Sequence, residues 1–490
     1  MRALVLIACL LLSAVSAPAA PAARCQTYPE CKNLGIAAYF YGYPLVIMGV
    51  SADVATNVPD ATSQNGRAPV NQFSHNALPD ETYLDIVLPS VSTPYSNAIL
   101  DLTKEPVVMH LPDFGDRWFL VQVLDFWTNS AGEETSCEDG ADGFCAVGTR
   151  YHTTEGDYAF VGPGFTGTLP ASIKQKIVMP TNQVLLAGRI FTEGTAEDME
   201  IVRGFQAQMT LTPLGKYGKS YAPPVHAPVD PLVDMETGPR DQTAALDAGT
   251  FFKKLADLMV KNPPLPADGP AVAAISRIGI VPGKPFDIRK LDAATRQAVI
   301  DGYAAAQQLL VAQSTNYTLT PTHWSMTLDL GNWGTRYAER AIVAYGALGA
   351  NLYKDAVYAG AIKDAQNEEL VGDHRYKIHF AAGELPPAGP EAFWSVTLYA
   401  RPQENLYGNP LHRYALGIPP AQGHAMEFNP DGSLDITLQH DAPPEGTLQH
   451  HNWIPTPGAG DKYLLLLRMY DPTPELFAGW VPPSVERNDP

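Results

Sequence analysis

Val107-Val108-Met109-His110-Leu111, stopped at Pro112-Asp113-Phe114-Gly115 and restarted as Trp118-Phe119-Leu120-Val121-Gln122-Val123-Leu124, decides how this chain is read. Both runs are rich in residues that suit a pleated, half-buried surface, and the Pro-Asp-x-Gly between them is a turn signal. The runs are too short for helices that bury one face. The same grammar continues in Tyr158-Ala159-Phe160-Val161, Ile177-Val178-Met179 and Gln183-Val184-Leu185-Leu186-Ala187. Short apolar runs with frequent Gly and Pro turns predict an all-β sandwich or jelly roll over this part.

Further along, alternation returns in Tyr376–Phe380, Phe393–Tyr399 and Leu434–Leu438, and Tyr463–Tyr470 reads as a strong last strand. Asn429-Pro430-Asp431-Gly432 is a turn in which Gly supplies positive φ. Between the two β regions, a stretch with prolines at 223, 224, 228 and 231 reads as an irregular connection. It is followed by helical patterns at Ala248–Lys261 and Ala293–Gln313, and a third at Tyr337–Leu352. Ahead of everything, Leu34–Asn57 reads as an apolar helix that Pro44 should kink or break. The expected class is mainly β with α: two jelly-roll-like β-sandwich domains joined by a helical segment. The expected boundaries are 1–22 signal peptide, 23–221 N-terminal β domain with its leading helix, 222–320 connection and helices, and 321–490 C-terminal helix plus β domain.

The front of the chain gives an address. Met1-Arg2, the apolar run Ala3–Ala17 and the small-residue tract Pro18–Ala23 have the layout of a secretory signal peptide, cleaved after Ala19 or Ala22. No other stretch reads as a membrane span, so a secreted or periplasmic protein is expected. Without Cys9, four cysteines remain. Three pairings are open, and the close-range bridges Cys25–Cys31 and Cys137–Cys145 are the simplest in an oxidising compartment. Their spacings do not suit a zinc knuckle. Asn316-Tyr317-Thr318 is a glycosylation sequon, relevant only in a eukaryotic host. With 33 Lys+Arg against 52 Asp+Glu, a net charge of −19 argues against nucleic acid as a partner.

Gly162-Pro163-Gly164-Phe165-Thr166-Gly167 matches a dinucleotide fingerprint in form only, because a strand and not a helix follows it. There is no G-x-S-x-G, H-E-x-x-H, Walker or EF-hand motif. Two polar-aromatic neighbourhoods remain. In the first, His75 and Tyr95 are candidates for acid–base work, with Asn71 and Trp127 as substrate contacts. In the second, His440 is the catalytic candidate, with Gln439, Asn452 and Trp453 as contacts. A neutral imidazole among amides and carboxylates can take or give a proton, and an indole can stack on a ring. His440 with His450 or His451 supplies two metal ligands but no third, so neither a metal nor a cofactor is assigned. The plainer reading of each histidine is a structural one bonded to backbone. Trp333 and Trp394 could join such a pocket or simply fill a core. Arg189, Arg340 and Arg468 each lie in or beside apolar runs, where a buried guanidinium calls for an internal salt bridge or an anionic ligand.

These residues resemble a family. Ala38–Val46, Asn71–His75, Leu124–Thr128, Val161–Gly164, Leu211–Leu214 and Arg277–Gly283 are similar to the N-terminal part of secreted bacterial proteins that pair two domains of unknown function. The two are number twelve-fifty-four, then number twelve-fourteen. Gly331–Thr335, Ala392–Thr397, Asn409–Gly417, Asn429–Leu434, Gln439-His440 and Asn452–Pro455 resemble the second. The resemblance implies two jelly-roll-like domains facing a shared cleft and says little about a reaction. One departure stands out: where the family runs Asn-x-Asp-Thr-x-Tyr, this chain has Ser90-Val91-Ser92-Thr93-Pro94-Tyr95.

The resulting expectation is an exported hydrolase or lyase acting on a small organic or sugar-like molecule in an interdomain cleft. A non-catalytic ligand-binding or interaction protein is the alternative, and a metal-dependent redox enzyme the second alternative. The expected partner is a small molecule, with self-association into a homo-oligomer left open.

Overall fold

The computed structural model describes residues 23–62, 66–83, 88–132, 137, 141–314 and 319–489. The signal-peptide reading of residues 1–22 and the sequon at Asn316 lie outside these. Helix α1 spans Tyr28–Thr56 and leads into β1 (Ser74–His75), β2 (Tyr95–Asp101), β3 (Val107–Leu111), β4 (Phe119–Asp125) and β5 (Val147–Gly148). Next come β6 (Gly156–Val161), β7 (Ile173–Val178), β8 (Gln183–Ile190), α2 (Ala196–Gln208) and β9 (Thr210–Pro213). Helices α3 (Pro239–Ala245), α4 (Ala248–Lys261), α5 (Gly269–Ser276) and α6 (Ala293–Ser314) follow. The last part holds β10 (Ser325–Met326), α7 (Tyr337–Gly346), β11 (Ala356–Ala361), β12 (Tyr376–Phe380), β13 (Trp394–Ala400) and β14 (Asn405–Leu406). It ends with β15 (Ala415–Ile418), β16 (Leu434–Gln439), β17 (Trp453–Pro455), β18 (Tyr463–Tyr470) and β19 (Val485–Arg487).

The strands form four sheets, so the chain is mainly β with α, as its patterning predicts. In the N-terminal half, β1-β2-β8-β4-β5 and β7-β6-β3-β9 enclose one core that includes Leu100, Met109, Val123, Phe160 and Leu186. In the C-terminal half, β10-β11-β18-β13-β14, with β15 on β13, faces β17-β16-β12-β19 across Val357, Ile378, Val396, Ile436 and Leu467. Alternation explains the arrangement: in β18 the odd residues Leu465, Leu467 and Met469 enter that core, so Arg468 and Tyr470 point the other way.

The helices are more than a connection. α1 is the axis of a third core, where Tyr39, Tyr43, Phe251, Phe252, Leu255 and Tyr303 pack together. By length and composition α1 alone among the described helices could cross a membrane, with mean hydropathy 1.4, whereas the sequence reading finds no such stretch beyond the leader. Here 78% of that window is buried inside the protein, which is why the helix is apolar all round. Of the kink or break expected at Pro44, the break does not occur: the helix runs on past that residue, which is buried on every side. Disulfides join Cys25 to Cys31 at the start of α1 and Cys137 to Cys145 beside the N-terminal core, as the spacing suggests.

Candidate functional site

The outward face of the C-terminal sheet meets the N-terminal half. Cross-strand register places Tyr358, Arg468 and Ser395 in one row over β11, β18 and β13, with Thr397, Tyr399 and Tyr470 on the same face. The facing sheet brings Tyr95 of β2 opposite Arg189 of β8, with Gln122 of β4 nearby. The segment after Leu88 ties the two together. Arg468 Nη2 donates to Leu88 O at 2.6 Å and to the Tyr399 hydroxyl at 2.7 Å, and Tyr399 donates to Pro89 O at 2.6 Å. Leu88 itself adopts φ 53°, a left-handed conformation that a branched side chain resists. Gln122 Nε2 donates across to Ala350 O at 2.9 Å.

The two arginines here have no carboxylate partner among the described residues. Arg189 Nη1 donates to Gln122 Oε1 at 2.9 Å and Ala187 O at 3.1 Å, and its guanidinium lies 5.5 Å from the Tyr95 ring centre. Arg468 Nη1 donates to Thr397 Oγ1 at 3.1 Å. All these acceptors are neutral. The internal salt bridge expected for Arg189, Arg340 and Arg468 therefore forms at none of the three among the described residues. Arg340 instead stands over Tyr41, Trp127 and Tyr337, 5.2–5.8 Å from each ring centre, with no hydrogen bond to its guanidinium.

Burial pushes the Tyr399 hydroxyl up to about 12, although Arg468 pulls in the opposite direction. Both guanidiniums act on Tyr358 and Tyr470, so the two cations share one neighbourhood. Tyr358 receives a hydrogen bond from Asn351 Nδ2. Tyr358 and Tyr95, which face each other's halves, are each only partly buried. Nearby lies Asp355, fully buried, accepting from Tyr151 at 2.7 Å with Arg150 Nε 4.0 Å from the same oxygen, while its other oxygen has no hydrogen-bond partner. Burial pushes its carboxyl up to about 7, and the nearby Asp471 adds to this, while the Tyr151 bond, Arg150 and Arg189 oppose it. Asp471 accepts from Trp118 Nε1 at 2.8 Å and is itself pushed up to about 6, chiefly by burial.

Of the acid–base candidates and substrate contacts singled out from sequence, Tyr95 lies on this face with Arg189 and Arg468, and its hydroxyl accepts from Ser90 N at 3.1 Å. His75 pairs in register with Ser96, the neighbour of Tyr95, so the sheet puts His75 and Tyr95 on opposite sides. His75 Nδ1 bonds Ser96 Oγ at 2.9 Å, and burial lowers its pKa to about 4. Asn71 Oδ1 accepts from Asp101 N at 2.9 Å and holds a loop end. Trp127 is fully buried and donates to Pro263 O at 3.1 Å. The second neighbourhood belongs to the far sheet of the C-terminal sandwich. There His440 Nδ1 bonds Thr456 O at 3.0 Å, Gln439 O accepts from Trp453 Nε1 at 2.8 Å, and Asn452 brackets the Glu427 backbone at 2.7 and 2.9 Å. Trp333 donates to Thr128 O at 2.9 Å, and Trp394 fills the C-terminal core. Among the described residues no three His, Cys, Asp or Glu side chains are placed to hold a metal ion.

Sequence reasoning missed Asp355, Tyr358, Asn351 and Tyr399. The available signal was in β18 and β11, where Arg468, Tyr470 and Tyr358 alternate with apolar residues on a strand whose both faces are buried.

Comparison with known proteins places these residues in two families. Residues 70–213 match a protein family of unknown function, DUF1254, and residues 355–474 match another, DUF1214. No curated protein matches the chain. The crystal structure of the VPA0106 protein from Vibrio parahaemolyticus is similar with a TM-score of 0.66 at 21% identity, covering 94% of this chain and 100% of that one, which shows a shared fold. An uncharacterised protein from Burkholderia cenocepacia, 11% identical, covers 94% of this chain and 95% of its own with a TM-score of 0.43. Tyr95 and Arg189 fall in the first matched region and Asp355, Tyr358, Tyr399 and Arg468 in the second. The chain belongs to the proteins that carry a DUF1254 domain followed by a DUF1214 domain.

Proposed function

We propose that the protein is an exported enzyme of hydrolase or lyase type that converts a small organic or sugar-like molecule in the space between its two sandwiches. The observation that supports this is Asp355, a carboxyl enclosed at that space with one free oxygen and a pKa near 7, where a proton acceptor works best at neutral pH. Tyr95, accessible from the same space, is the proton donor. The two disulfides agree with an oxidising compartment and hence with export. His75 and His440 have no part in this reading, because each already has a structural bond away from the space.

The test is conversion, followed by mass spectrometry, of a panel of sugars, sugar acids and small organic acids by the purified protein. Turnover should fall at least 100-fold in both Tyr95→Phe and Asp355→Asn, roughly the order expected for losing acid–base catalysis. A molecule that binds but is never converted would move the protein to the second reading, a ligand-binding protein. That reading is favoured by the structural engagement of both histidines.

A further inference from the structure

We infer that Arg189 and Arg468 form a split clamp for a carboxylate, one guanidinium from each domain, so that the ligand is a small organic acid. The inference rests on the interdomain space being the ligand site and adds the chemical class that the site accepts.

Four observations carry it. First, two guanidiniums are buried, at 9% and 3% exposure, with only neutral acceptors among the described residues, in a chain whose net charge is −19. A buried cation without a hydrogen-bonded carboxylate is costly; the carboxyl that acts on Arg189, Asp355, is pushed by burial toward its neutral form, and an anionic ligand supplies the missing charge. Second, each guanidinium has five N–H donors, and the described bonds use only one or both Nη groups, leaving Nε of both and Nη2 of Arg189 unbonded. Third, both charges act on the same two tyrosines, Tyr358 and Tyr470, so one small molecule can meet both. Fourth, among the large rings of Tyr358, Tyr399 and Tyr470 on the Arg468 face stand two short side chains, Ser395 in register with Arg468 and Thr397 bonded to it. Bulk at those positions would close the space over the cation.

The planar shape of the acid follows from where the arginines sit. Both are inside strands, where backbone N–H groups are spent on the ladder, and in the loop beside them Ser90 N and Ser92 N are already bonded, to the Tyr95 and Ser90 hydroxyls. What is offered is planar forks and hydroxyls, which match a carboxylate edge on. The tyrosine rings then take the rest of the molecule.

The experiment uses the full mature protein and reads thermal protection and calorimetric binding. The probes are D-glucuronate and succinate, with D-glucose and inorganic phosphate as controls. The clamp predicts protection by one or both carboxylates, weakened by 0.5 M NaCl, with Kd raised at least tenfold in Arg189→Lys and Arg468→Lys. Lysine keeps the charge and the fold but loses the fork. Protection by glucose equal to that by glucuronate, unchanged in the lysine variants, overturns the clamp while leaving the interdomain site in place. Protection by phosphate alone overturns the carboxylate class. Carboxylate binding that is insensitive to both lysine variants places the acid elsewhere and sinks both the clamp and the site.

Discussion

Asp355 and His75 are pushed in opposite directions by the same cause, burial, and the signs give opposite pH dependences. Asp355 and Asp471 hold their protons to about 7 and 6 in the folded state, above the ordinary carboxylate value. Their contribution is therefore fully present below about pH 4 and is lost as pH rises through 6–7. His75 stays neutral down to about 4, below its ordinary value. Its contribution is present above about pH 6.5 and is lost as pH falls through 4. Replacing Asp355 by Asn should raise the urea midpoint at pH 8, by an amount on the order of 2 kcal/mol, and do almost nothing at pH 4. If Asp355 is the base of the proposed reaction, the same change should lower turnover at least 100-fold while it relieves the fold. If the Asp355→Asn variant is instead less stable than the parent at pH 8, the carboxyl is structural.

Glycines set the spacing of the helical body. Gly35, Gly42 and Gly49 recur every seven residues on α1, facing α6 at the first and Leu255 and Leu258 of α4 at the others. At the α1–α6 crossing a Cβ on Gly302 would lie 2.3 Å from Lys32 O and 3.2 Å from the Gly35 Cα. Backbone cannot yield there as a side chain could. Gly302→Val should therefore destabilise the protein by about 2–3 kcal/mol, read as a lower urea midpoint with disulfides intact. The same scale shows where sequence reading succeeds and fails. The strand runs and the helix Ala248–Lys261 are legible because period-2 and period-3.6 patterns are local properties. The passage of α1 through Pro44 is not, because the packing that sustains it comes from α4 to α7. Nor is the separation of His75 from Tyr95. It follows from a two-residue strand whose register with β2 no local pattern announces.

Across the whole molecule, polar bonds add to an apolar layer that the halves share, in which Ala356, Phe393 and Tyr470 join the N-terminal core. Trp118 bonds Asp471, Tyr151 bonds Asp355, and Tyr414 bonds Glu81, each joining one sandwich to the other. The parent should unfold in one calorimetric transition. The double variant Trp118→Phe, Tyr151→Phe should broaden or split it, because two buried acceptors lose their donors at about 1–3 kcal/mol each. A sharp single transition in that variant would assign the coupling to the aromatic contacts of Trp118 with Phe393 and Tyr470 instead. This scale also explains why the candidate site was the least legible feature. Each arginine was visible in its strand, and nothing in either half says that the other will face it.

Leu88 and Arg468 bond to each other from positions 380 residues apart. A chain made from its N-terminus reaches Arg468 only after nearly everything else has left the ribosome. The N-terminal sandwich can complete its own core early, but its polar face must wait, wet and unmatched, for the last long strand. Contacts so distant along the chain form slowly. The face between the halves is thus complete only at the end of synthesis, and a molecule cut short before β18 would lack the strand that completes both the second sandwich and that face.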